Sequence, residues 1–140
     1  NGPAFSTNGK TMYFSDSYNR AILKFNYQAD KKFDDNFEIF HIFGQNEGIP
    51  DGLCVDADDK LWVAMWGGKK IIVFNRFGEK VSEVTVPTQN VTSCTFTGDY
   101  FNNLYITTAT KSLDNPDDYA GGLFSVTVNT RGMPTDRFSL

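Results

Sequence analysis

Three short stretches, Asn1-Gly2, Asp51-Gly52 and Thr92-Ser93, each open the same run of brief apolar alternations, at intervals of about 40 to 50 residues. A unit of that length cannot bury its own hydrophobic face, so the units must stack on one another. The expected class is all-β, a β-propeller of three four-stranded blades.

The units divide at about 1–48, 49–90 and 91–140 within a single propeller segment. In the first, a short inner strand over 3–6 turns at Asn8-Gly9-Lys10 and returns over 11–15. Strands over 21–27 and 37–43 follow, with a charged tip at 28–36 between them. The second repeats this order over 53–56, 61–65, 70–74 and 80–86, with a Gly-rich corner at Trp66-Gly67-Gly68. The third gives strands over 91–96, 104–108 and 123–128 after a longer loop at 111–122, and only 137–140 remain to supply a fourth. Met12, Leu61 and Leu104 align across the units, as do Tyr13, Trp62 and Tyr105, and Phe25 with Phe74. Apolar residues alternate over five to seven positions and turn residues interrupt every longer run, so helix is not expected. Alternation assigns Phe25, Phe74, Trp62 and Tyr105 to packing between blades rather than to ligand binding.

A net charge of −4, from 13 basic and 17 acidic residues, argues against a nucleic-acid partner. No basic cluster exceeds the pairs Lys31-Lys32 and Lys69-Lys70, whereas phosphate binding needs a positive stripe. No apolar stretch approaches the roughly 20 residues that cross a bilayer, and no charged-then-apolar leader opens the sequence. The expectation is a soluble, cytoplasmic protein without a membrane partner. The sequence also begins without Met, inside a repeat, so a boundary with further chain upstream is expected. Cys54 and Cys94 lack zinc-type spacing and read as free, reduced thiols. In the superposed repeats they fall one position apart, hence on opposite strand faces. A single histidine, His41, builds neither a catalytic dyad nor a multi-His metal site.

Asn1 and Asp51 occupy the same repeat position, before a Gly and before the innermost strand, and on a propeller such positions converge on the channel mouth. An amide carbonyl and a carboxylate are hard oxygen ligands suited to one divalent cation, Ca²⁺ first, with Mg²⁺, Mn²⁺ or Zn²⁺ as alternatives. Asn-Gly and Asp-Gly are equally ordinary turn sequences, and two ligands do not complete a site. Ser17 and Trp66 hold equivalent corners on the mouth side and are candidates to flank a substrate. Asp56, Asp58 and Asp59 belong to the hairpin at the opposite rim and read as a solvated turn. The Asp-Xaa-Asp pattern there lacks the Gly and distal Glu of a calcium loop. Ser15, Ser17, Thr92 and Ser93 have no nearby His or Lys in sequence to activate them as nucleophiles.

In series, the opening at 1–6, Tyr13-Phe14-Ser15-Asp16-Ser17, the run 50–56, Leu61-Trp62-Val63-Ala64, Trp66-Gly67-Gly68, Val91-Thr92-Ser93-Cys94 and Gly121-Gly122-Leu123-Phe124 resemble the gluconolactonase, regucalcin (senescence marker protein) and luciferin-regenerating enzyme family. The match covers the whole chain and corresponds to the C-terminal half of that family's six-bladed propeller. The resemblance implies one divalent cation at the mouth, held by a Glu, two Asn and an Asp. Asn1 is similar to the second of those asparagines, and Asp51 to the aspartate that is both ligand and general base. The Glu, the other Asn and a sugar-binding Arg belong to the half not represented here. The implied activity is metal-dependent hydrolysis of a sugar lactone, with this chain supplying part of the metal site. The alternative class is a non-catalytic calcium-binding or interaction propeller, since one fold hosts unrelated functions. Three blades leave two apolar faces uncovered, so either a longer chain or a homodimer completing a six-bladed ring is expected.

Overall fold

A computed structural model describes residues 1–28 and 36–134. Among the described residues the regular structure is entirely β, in three antiparallel meanders. The first sheet contains β1 (Ala4–Phe5), β2 (Thr11–Asp16), β3 (Ala21–Asn26) and β4 (Phe37–Ile42). The second contains β5 (Ile49–Val55), β6 (Leu61–Trp66), β7 (Lys70–Phe74) and β8 (Lys80–Thr85). The third contains β9 (Val91–Thr97), β10 (Asn103–Thr108) and β11 (Leu123–Thr127). The fourth strand expected at 137–140 and most of the charged tip expected at 28–36 lie outside the described residues.

Two-residue periodicity dictates how the sheets stack, because successive side chains leave opposite faces of a strand. Leu61, Val63 and Met65 of β6, with Ile72 and Phe74 of β7, pack toward the first sheet against Ala4, Tyr13, Ile22 and Phe43. The intervening Trp62, Ala64, Ile71 and Val73 pack toward the third sheet against Val91, Cys94, Leu104 and Ile106. The second sheet is therefore the covered middle layer. The lone His41 lies in the first seam, its ring 4.7 Å from that of Phe43 and 4.5 Å from that of Phe74, packed among aromatic rings.

The aromatic columns follow this layering with two corrections. Phe74 and Trp62 lie in the seams. Phe25 pairs with Met12, next to the inward-facing Tyr13, and so lies on the face of the first sheet away from the second, buried with its ring 5.7 Å from that of Phe37. Tyr105 does not fill a seam. Cys94, Leu104 and Ile106 face the second sheet, so Tyr105 leaves the outer face of β10, where it is 42% exposed. The two cysteines do fall on opposite faces of equivalent strands, and those faces become the two sides of one seam, with the thiols 3.7 Å apart and free.

The aspartates of the β5–β6 hairpin are not merely a solvated turn. Asp56 is fully buried: Oδ1 accepts the amides of Asp58 and Lys60 at 2.9 Å, while Oδ2 accepts Trp62 Nε1 at 3.0 Å and Thr130 Oγ1 at 3.1 Å. The segment after β11 reaches this hairpin, where Ala57 N donates to Arg131 O at 2.8 Å. Asp59 binds the neighbouring hairpin instead, accepting Thr7 N at 2.7 Å and Thr7 Oγ1 at 3.0 Å. Only Asp58 behaves as an exposed turn residue, paired to Lys60 at 2.9 Å.

Candidate metal centre

The meander order puts the hairpins after β1 and β5 at one rim, and Asn1, the β2–β3 corner and the start of β5 at the other. Asn1 continues the pairing of β1 with β2. Its backbone nitrogen donates to Ser15 O at 2.7 Å, and Ser15 N returns a bond to Asn1 O at 2.8 Å. Its side-chain Nδ2 donates to Ser17 Oγ at 3.2 Å, and the Ser17 hydroxyl donates to Pro50 O at 2.7 Å. The first sheet is thereby tied to the residue before Asp51.

Asp51 sits in an irregularity of the β5–β6 ladder. Pro50 pairs with Met65 and Leu53 with Val63, so three steps along β5 match two along β6. Such a bulge leaves a residue out of the ladder and re-aims its side chain. Gly52 fits because β9 approaches closely: a Cβ there would lie 2.6 Å from Ser93 Cβ and 2.7 Å from Thr92 O. A second irregularity falls between Thr107 and Thr108, opposite the equivalent Thr92, whose hydroxyl is 2.7 Å from that of Thr107. The loop leading into β5 is pinned by Arg20, whose Nη2 donates to the carbonyls of Gly44, Gln45 and Gly48 at 2.9, 3.0 and 2.6 Å.

Burial pushes the half-buried Asp51 carboxyl above its ordinary value of 3.8, while the Gly52 amide acts in the opposite direction. Among the described residues, no side chain donates a hydrogen bond to Asp51. The donor chemistry, a carboxylate without a side-chain partner near an amide whose nitrogen is already anchored, fits a hard divalent cation. It fits as part of a site: the described residues contain no group of three or more His, Cys, Asp and Glu able to hold a metal. Asn1 and Ser17 are thus joined directly, and Asp51 follows Pro50 in the same chain of contacts. Trp66 is half-buried at the end of β6, pairing with Ile49 and bridging to Asn90. The Ser17 bridge and the Gly52–Ser93 contact were not anticipated. The recurrence of small residues at Gly2, Gly52 and Ser93 was the available signal for the second.

Residues 1–110 match the model of the SMP-30/Gluconolactonase/LRE-like region. The chain belongs to this family. Among family relatives, regucalcin of Xenopus laevis is 30% identical over 145 residues, covering 99% of this chain and 48% of that protein. The gluconolactonase XC5397 of Xanthomonas campestris is 30% identical, with a TM-score of 0.64 over 76% of this chain and 34% of its own. A structure of regucalcin from Agrobacterium tumefaciens, described as a calcium-binding protein, shares the fold with a TM-score of 0.89 at 24% identity, over 100% of this chain and 49% of its own. The chain thus spans about half the length of the curated relatives it matches.

Proposed function

We propose that this chain forms three blades of a six-bladed propeller whose activity is metal-dependent hydrolysis of a sugar lactone, with Asn1 and Asp51 as two oxygen ligands of one divalent cation, Ca²⁺ by preference. The observation that carries the reading is the Asp51 bulge: a half-buried carboxyl at a register shift of β5, without a side-chain donor among the described residues, and following Pro50, to which Asn1 is linked through Ser17. Membership of the gluconolactonase family supports the substrate class.

When bound, such a cation supplies Lewis-acid polarisation of the lactone carbonyl. Asp51 holds it through a carboxylate oxygen and orients the attacking water or accepts its proton. Asn1 contributes a neutral amide oxygen, which ligates without titrating. Water adds to the ring carbonyl, the ring C–O bond breaks, and the hydroxy acid leaves. Asp51→Ala in the intact protein is expected to abolish both calcium binding and gluconolactone turnover, and Asn1→Ala mainly to weaken calcium affinity. Unchanged metal affinity and turnover in the Asp51 variant refute the assignment.

Apolar outer faces support completion by further blades. Tyr13 faces the second sheet, so Phe14 faces away at 38% exposure, and Leu123, paired with Thr107 on the Tyr105 side of the third sheet, is 65% exposed. A second copy of this chain suits the same faces and would bring two Asn1–Asp51 pairs to one mouth. Light scattering of this chain, with a parallel lactonase assay, separates the cases. A dimer with calcium-dependent turnover means that two copies rebuild the ring, and an inactive monomer means that the activity belongs to a longer chain.

A further inference from the structure

We propose that Ser17 is a positioning residue that fixes both the Asn1 amide and the peptide bond entering Asp51, an assignment that rests on the metal-site reading above. A serine hydroxyl has a single hydrogen, and a backbone carbonyl can only accept. The 2.7 Å contact between Ser17 Oγ and Pro50 O therefore consumes that hydrogen. What remains on Ser17 is lone pairs, so the Asn1 group 3.2 Å away must be a donor, which is Nδ2 and not Oδ1. Turning the amide over would set two acceptors against each other. Asn1 Oδ1 is thus left as the lone-pair side of the amide, with no hydrogen-bond partner among the described residues, in the state a metal ligand requires.

The second half of the bridge acts on Asp51. Pro50 O belongs to the planar peptide unit that ends at Asp51 N, so holding this oxygen holds the plane from which the bulged residue departs. Ser15, one alternation earlier, does not compete: its buried Oγ has no hydrogen-bond partner among the described residues. Nor is the hydroxyl a general need of the fold, because the equivalent corner of the second sheet carries Trp66 and reaches the next sheet through a backbone bridge to Asn90.

The test is calcium titration calorimetry on the intact protein, comparing Ser17→Thr with Ser17→Val, which match in shape and differ in the hydroxyl, alongside Ser17→Ala and Asp51→Ala. Ser17→Thr is expected to bind calcium within about threefold of wild type. Ser17→Val and Ser17→Ala are expected to bind about 10- to 100-fold more weakly, the usual effect of removing a group that orients a metal ligand. In chelator, the Thr and Val variants are expected to melt together. Equal calcium affinity of the Thr and Val variants, with binding lost in Asp51→Ala, overturns the role of Ser17 and leaves the metal site standing. Unchanged binding in Asp51→Ala overturns the site itself and this inference with it. A Val variant whose metal-free melting point falls along with its calcium affinity identifies Ser17 as structural and also overturns the proposal.

Discussion

Asp56 shows how a single acidic side chain can organise a rim. Its two oxygens receive four donors from three stretches of chain: the hairpin amides of Asp58 and Lys60, the Trp62 indole and the Thr130 hydroxyl. Truncating it orphans all four, and Trp62 Nε1 is in a place water does not reach. Asp56→Ala is expected to lower unfolding free energy by about 3 kcal/mol or more, read as a fall in the urea midpoint. A solvated turn was the natural reading of an Asp-Xaa-Asp-Asp string, because local sequence cannot reveal a donor 74 positions away. The legible hint was Trp62, an apolar side chain whose indole N–H needs a buried acceptor. Glu83 illustrates the surface case. Hydrogen bonding to Lys80, with the charges of Lys70 and Lys80, holds its carboxyl below the ordinary 4.5. A lowered carboxyl stabilises the fold above its unfolded value, and that contribution is lost as pH falls through the folded value. Glu83→Gln is therefore expected to be slightly less stable than wild type at neutral pH and to converge with it in acid below about pH 4.5, as followed by urea midpoints against pH.

At the scale of the element, strand periodicity was readable and strand irregularity was not. Alternation in Leu61-Trp62-Val63-Ala64-Met65 correctly separates the two faces of β6, since burial on both sides leaves each face apolar. The bulge at Asp51-Gly52 adds one residue to one strand, and nothing in the local alphabet distinguishes it from a turn. Hence Asn-Gly and Asp-Gly left two readings open. The close approach of β5 to β9 makes the bulge testable. Gly52→Ala must push Ser93 or the Thr92 carbonyl aside, with an expected loss of about 1 to 3 kcal/mol in thermal or urea unfolding. Because Gly52 adjoins Asp51 in the same bulge of β5, calcium affinity is expected to fall with it, as measured by calorimetry.

Across the whole molecule, the three sheets are unequally protected. The second has neighbours on both faces, and Val63, Ala64, Met65, Ile71 and Ile72 have no exposed surface, whereas Leu123 of β11 and Ile39 of β4 stand 65% and 59% exposed. Local opening follows burial. Amide exchange is expected to be slowest in β6 and β7 and fastest in β4, β8 and β11, and a mass-spectrometric exchange profile with β11 as protected as β6 would contradict this layering. The stacking order was visible in the repeat, because equivalent positions keep the same face from unit to unit: Tyr13 looks to the second sheet, Trp62 to the third, and Tyr105 to the open side beyond it. The contacts joining the units were not, since Thr7–Asp59 and Ser17–Pro50 depend on rim geometry that no periodicity encodes.

The Trp62–Asp56 bond has an optical consequence. The sequence contains two tryptophans, Trp62 inside the second seam with its indole held by a buried carboxyl, and Trp66 half-buried at the rim of Asn1 and Asp51. With Trp66 changed to Phe, the remaining emission comes from a dry, fixed fluorophore, blue-shifted and resistant to acrylamide quenching. With Trp62 changed instead, the light comes from the rim and is open to quencher, so one chain carries separate intrinsic probes of seam and rim.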